Sequence, residues 1–216
     1  MNMNDELIVH ENKRENCFRF LAGLFYFPET VLFEEANLFE NLSEGLKIVC
    51  PEAVQDAVRI EKSIREYTDE ELQIDYAKLF KGPNTLLAPP YGSVYLDEGR
   101  QVMGFSTMEV IKTYEQEGLG KSGDFKDLPD HIVVEMEFMS FLIYQELAAL
   151  EKKDIELARK YIEKQNTFLN SFLHQWIPSF CQKIKEGTEN KFYISLADCL
   201  SIFITNPHQV LSLPLN

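Results

Sequence analysis

From His131 to Leu150 the chain reads HIVVEMEFMSFLIYQELAAL, a run that is apolar almost all the way round a helical wheel. A helix of that composition has no face that water will accept, so it must lie deep among other elements. The neighbouring sequence shows that those elements are helices too. ENCFRFLAGLFYF sets Phe18, Leu21, Leu24 and Phe25 at three- and four-residue spacing, with Pro28 marking the stop. PETVLFEEANLFENLSEGLKIV places Leu32, Ala36 and Phe39 on one face, and Pro51 suits the first position of the next helix, PEAVQDAVRIEKSIREY. No stretch alternates apolar and polar residues long enough for a sheet. The expected class is all-α, a compact fold of about nine or ten helices.

Side-chain signals punctuate the pattern. Thr68 with Glu71 is a capping box opening DEELQIDYAKLF, whose Leu72, Tyr76, Leu79 and Phe80 share a stripe, and Gly82-Pro83 stops it. Ser106 with Glu109 predicts a second box, and Gly118 a helix stop. Asp130 is expected to cap the apolar helix, and Asp154 to open a further one running to about Leu173. SFCQKIKEG and KFYISLADCLSIFI then complete a helical C-terminal half. LGKSGDFKDLPDH is the most linker-like segment, so a hinge is expected at 119–130. It would join an N-terminal portion, residues 1–118, to a C-terminal portion, residues 131–216, within one domain.

The net charge of -14 disfavours nucleic-acid partners and favours positively charged ones, although simple solubility also accounts for it. Cys17, Cys50, Cys181 and Cys199 form no close pair. They read as buried free thiols in a reducing compartment, without a zinc or iron–sulfur site. The polar, acidic start MNMNDELIVHENKREN lacks the form of a secretory signal, and no stretch reaches the length of a membrane span. The expectation is a cytoplasmic protein.

No Gly-rich phosphate loop and no nucleophile elbow occurs. His131 and Glu135, four apart with Asp130 adjacent, match two ligands on one helix face; a metal-dependent enzyme using Asp130, His131 and Glu135 is therefore one reading. The other is a capped helix start in which His131 and Glu135 pair with each other. Glu135 and Glu137 stand about 200° apart on the wheel and cannot share a face, so at least one points into a groove or toward a partner group. A single exposed carboxylate, with the other paired to an internal Arg or Lys, accounts for them equally well. LFKGPNTLLAPPYGSVYLDEG, Leu79 to Gly99, is too apolar for a solvated linker. Pro83, Pro89 and Pro90 restrict its backbone, so Tyr91 and Tyr95 are either presented to a peptide or plugged into the core.

Two blocks of this sequence resemble a known family. YAKLFKGPNTLLAPPYGSVYLD, Tyr76 to Asp97, is similar to the Y-x-x-L-F-x-G-P…P-P-[WY]-x-S-x-Y block of the TorD/DmsD/NarJ superfamily of redox-enzyme maturation chaperones. LPDHIVVEMEFMSFL, Leu128 to Leu142, is similar to its P-D-H…E-x-x-F-[ML] block. The resemblance implies an all-helical TorD-like fold, no enzymatic activity and no cofactor of its own. The implied partner is the immature catalytic subunit of a molybdenum or tungsten oxidoreductase, often met through its twin-arginine signal peptide. The chaperone holds it in the cytoplasm until cofactor is inserted. Some members form homodimers by exchanging segments at the hinge. Nucleotide binding, a property of some relatives, finds no phosphate motif here. Carried over by position, the implied client-binding residues are Tyr76, Phe80, Pro89, Pro90, Tyr91, Ser93 and Tyr95 in the first block, and Asp130 and His131 in the second. Glu135 and Glu137 are our additions, as carboxylates for the arginines. Many relatives carry Trp where this chain has Tyr91. Trp176, far from both blocks, reads as ordinary core.

Overall fold

The structure is a computed structural model that describes residues 3–83, 85–120 and 127–209. Its α-helices are α1 (Met3–Gly23), α2 (Thr30–Glu35), α3 (Leu38–Val49), α4 (Val54–Ile64), α5 (Asp69–Tyr76), α6 (Ser93–Leu96), α7 (Phe105–Gln116), α8 (Ile132–Glu151), α9 (Ile155–Phe168), α10 (His174–Gly187) and α11 (Lys191–Thr205). The shortest, α6, is a single turn. Among the described residues there is no strand, and one antiparallel bridge joins Tyr91 to His131. The all-α class is as the periodicity predicts.

Several helix ends follow the sequence signals. The Thr68–Glu71 capping box is present at α5, and Asp154 caps α9 by accepting from the Leu157 N–H at 3.0 Å. Gly118, at φ 72°, ends α7: its N–H reaches Glu115 O and that of Leu119 reaches Tyr114 O, the paired bonds of a Schellman stop. Other ends differ. Asn37 takes a left-handed conformation and splits the expected second helix into α2 and α3, which leaves Leu32 in solvent and buries Phe33 with Phe39 instead. Ser106 makes no box with Glu109. It lies inside α7, and its N–H and hydroxyl donate to Asp97, whose carboxylate anchors the helix start from the preceding loop. The break expected near Leu173 is a π turn, Leu169–Leu173, through which α9 runs straight into α10.

The apolar helix α8 lies where the wheel predicts, between α1 and α9, with Met136, Met139, Leu142 and Ile143 fully buried. The helix α11 packs on α4 and α10. Phe18 of α1 meets Phe203 of α11 edge-on at 4.9 Å, and Phe25 meets Phe180 at 5.7 Å, so the two sides of the chain share one core. Of the expected hinge 119–130, residues 121–126 lie outside the described residues. All four cysteines are free and buried. No helix among the described residues is long and apolar enough to cross a membrane.

One polar cluster crosses this core. Arg14 of α1 is fully buried and donates to Glu11 at 2.8 Å and to Gln165 of α9. Gln165 in turn donates to Glu146 of α8 at 2.8 Å, so three helices are tied through one guanidinium and its acceptors. A buried charge is tolerated only in such company.

Candidate functional site

The two sequence blocks that stand far apart along the chain are laced together at the start of α8. The Gly92 N–H donates to Asp130 O at 2.8 Å and the Ile132 N–H to Pro90 O at 2.9 Å. The Ser93 N–H donates to the Asp130 carboxylate at 2.8 Å. Asp130 therefore points back to the loop and does not cap α8. That role falls to His131, whose Nδ1 accepts from the Val133 N–H at 3.2 Å. An accepting Nδ1 has to be unprotonated, and burial pushes the His131 pKa down against the raising pull of Asp127 and Asp130.

Glu135 and Glu137 separate as the wheel requires. Glu135 is 0% exposed and accepts from the Trp176 indole N–H at 2.8 Å. It pairs neither with His131 nor with an internal Arg or Lys. Burial raises its pKa well above the ordinary carboxylate value, outweighing the indole hydrogen bond, and Asp130 adds to the rise; the neutral acid is favoured. Trp176, which the sequence does not single out, is thus the internal partner of the helix that forms the site. Glu137 is exposed, and Tyr26 Oη donates to it at 2.6 Å.

The loop residues divide the same way. Tyr76 and Phe80 are core: the Tyr76 hydroxyl donates to Phe25 O at 3.2 Å, and Phe80 lies against Phe25, Phe180 and Tyr193. Tyr95 stacks on Trp176 at 5.6 Å, and Ser93 is fully buried. Pro90 is buried and Pro89 half-buried. Tyr91 is the half-exposed aromatic, set edge-on to His131 at 5.3 Å. Tyr95 is thus a plug in the core, and Tyr91 keeps a half-exposed ring.

Beside Pro129, residues of α7 and α8 line an open groove of about 540 Å³. Tyr114, Val134, Phe138 and Phe141 give it apolar walls, and Glu115 and Glu137 supply its carboxylates. Tyr114 fixes its depth: the hydroxyl donates to Pro129 O at 3.0 Å while the ring packs on Phe138 at 4.5 Å. Exposed Asp127 stands near one end, close enough to raise the pKa of both Tyr26 and Tyr91 electrostatically.

The metal reading is corrected by these contacts. The Asp130 carboxylate turns to Ser93, His131 Nδ1 to its own helix and Glu135 to Trp176, so the three do not converge. Among the described residues no group of three or more His, Cys, Asp or Glu side chains is placed to hold a metal ion.

Residues 42–182 match the family model described as nitrate reductase delta subunit. A chaperone protein TorD from Photobacterium profundum is 30% identical over 195 residues, 90% of this chain and 81% of that one. Another, from Aliivibrio salmonicida, is 27% identical over 209 residues, 93% and 95% of the two chains. The crystal structure of a proposed redox enzyme maturation protein from Archaeoglobus fulgidus superposes with a TM-score of 0.53 at 21% identity, covering 87% of this chain and 91% of that one, and so shares its fold.

Proposed function

Because this chain belongs to the nitrate reductase delta subunit family, which holds the TorD chaperones, it is a molybdoenzyme-maturation chaperone and not an enzyme, and we propose that the α7–α8 groove is where it holds its client. The occupant we propose is the twin-arginine signal peptide of the immature oxidoreductase catalytic subunit. Such a peptide has a basic start and an apolar run. The observation that carries this reading is the pairing, in one groove, of apolar walls from Phe138 and Phe141 with the carboxylates of Glu115 and Glu137. Charge complementarity steers the basic end to the acidic chain, and apolar burial supplies the holding energy.

Of the candidate residues, Glu137 is exposed and Tyr91 half-exposed, while His131 is buried against the Tyr91 ring. We assign Glu137 and Tyr91, with Asp127, to the basic end. Phe80, Ser93, Tyr95, Asp130 and Glu135 act through them, by fixing the loop and the start of α8. The cellular setting is the cytoplasm, where a client can be held before export. A homodimer made by exchange at residues 119–130 would re-form the α1–α8 contact between copies.

Calorimetric titration with the twin-arginine leader of the oxidoreductase encoded beside this gene, and with its Lys-Lys variant, tests the reading. Micromolar binding that weakens in the variant is expected. No binding to either peptide would move the client contact to the mature subunit.

A further inference from the structure

Only some of the apolar surface of α7 belongs to the groove. Ile111 lines it, and Met108 and Phe105 follow at successive three-residue steps toward the helix start, an oblique ridge that turns about 60° round the helix at each step. Phe105 is 75% exposed and Met108 48%. Val102 and Met103, in the loop just before, are exposed as well. Ser106, Thr107 and Val110 are buried and form the face of α7 that packs. The bonds from Ser106 to Asp97 fix that orientation, so Phe105 is held outward by the anchoring of its neighbour. A contiguous exposed row of Phe and Met is what an apolar partner would cover, and Met adapts to varied partners.

Resting on the peptide reading above, we propose that Phe105 and Met108 form a ledge continuing the groove along α7, which takes the distal end of the leader's apolar run and so fixes the direction in which the peptide lies. The groove supplies the polarity. Its carboxylate Glu137, with Asp127 close by, stands beside the Pro129–His131 turn, to which Tyr114 ties the C-terminal end of α7. Phe105 stands at the other end of the same helix. From Phe105 to Glu115 the helix extends roughly 15 Å, the length of about ten residues of helical peptide. Basic residues at the turn thus leave the following apolar residues to run outward over Ile111, Met108 and Phe105.

The experiment uses the whole chain, a Phe105→Ser/Met108→Ser double variant, and two synthetic leader peptides. One carries the arginine pair and the complete apolar run. The other stops a few residues after the pair. Both substituted side chains are solvent-exposed, and helical content by circular dichroism checks that the variant folds. The complete peptide is expected to bind the variant about tenfold more weakly than the wild type, while the short one binds both alike. Equal binding of the complete peptide to both proteins overturns the ledge and leaves the groove standing. No binding of either peptide to the wild type overturns the peptide reading and the ledge with it. A concentration-dependent dimer of the wild type, abolished in the variant, also overturns the proposal by assigning the ledge to a second copy of the chain.

Discussion

The Trp176 indole N–H donates to Glu135 at 2.8 Å, and Gly92 lies against both: a Cβ on Gly92 would stand 3.2 Å from Glu135 Oε1 and 3.2 Å from Trp176 Nε1. The proline-rich loop, the apolar helix and α10 therefore close on one another at a single buried contact. Gly92→Ala is expected to press the loop away from α8 and lower stability by about 1–3 kcal/mol, measured by chemical denaturation. Trp176 is the chain's one tryptophan, so its fluorescence reports the same contact directly. A red-shifted emission in Gly92→Ala marks the opening, and an unchanged spectrum with wild-type stability would count against it.

Trp176→Phe keeps most of the ring but removes the donor, leaving a fully buried carboxyl without its hydrogen bond. The expected loss is about 2–4 kcal/mol. In the Glu135→Gln background the same substitution should cost about as much, because the amide carbonyl accepts from the indole as the neutral acid does; a markedly smaller cost would show that Glu135 is ionised. Thermal denaturation of the four proteins in the cycle gives the coupling between the two side chains.

The two glutamates separate cleanly in binding. Glu137→Gln removes an exposed charge from the groove and is expected to weaken twin-arginine peptide binding about two- to five-fold, with the difference shrinking as salt is raised. Glu135→Gln replaces a buried group by its isostere and should leave peptide affinity unchanged. If neither substitution alters affinity at low salt, the basic end of the peptide does not lie at this end of the groove.

Asp130→Asn keeps an oxygen for the Ser93 N–H but lets the side-chain amide take its place, and Asp130→Ala removes the acceptor altogether. The alanine variant is expected to be about 1–3 kcal/mol less stable. It should also free the loop locally, seen as faster amide exchange at Gly92 and Ser93. Protection at those two amides equal to that of the wild type would show that the backbone bonds alone hold the loop.

Local signals in the sequence were enough for much of the fold. The period of α8 places it in the core, and Thr68–Glu71, Asp154 and Gly118 set helix ends through bonds made within a few residues. The two motif blocks were legible as a pair, and the bridge from Tyr91 to His131 is where they meet. What was not legible depends on contacts between distant residues. Asp130 has the form of a helix cap, yet its carboxylate is claimed by Ser93, 37 positions away in the chain. Nothing near Trp176 indicates that its partner is Glu135. The groove draws one wall from each of two helices, so no single segment carries its signature.

The buried cluster of α1, α8 and α9 makes stability depend on pH through Glu146. Its pKa is raised to about 7, first by burial and then by nearby Glu11, against the downward pull of the Gln165 hydrogen bond, Arg14 and His10. Glu11 moves the other way: Arg14 and the His10 hydrogen bond lower its pKa despite its burial. The guanidinium thus serves mainly Glu11, and Glu146 is the carboxylate left short of charge compensation. For a group raised in the folded state, the unfolded chain loses its proton first. Glu146 therefore favours folding fully below the ordinary carboxylate value of 4.5, and that contribution fades as pH rises toward about 7. Glu146→Gln holds the site neutral and keeps an acceptor for Gln165. The wild type minus variant difference in unfolding free energy, from denaturant titrations at half-unit steps, should shift against the wild type between pH 5 and 7.5 and level off outside that window. A difference that stays flat across the range would place the ionised Glu146 in full partnership with Arg14, 3.9 Å away, and remove the proton linkage.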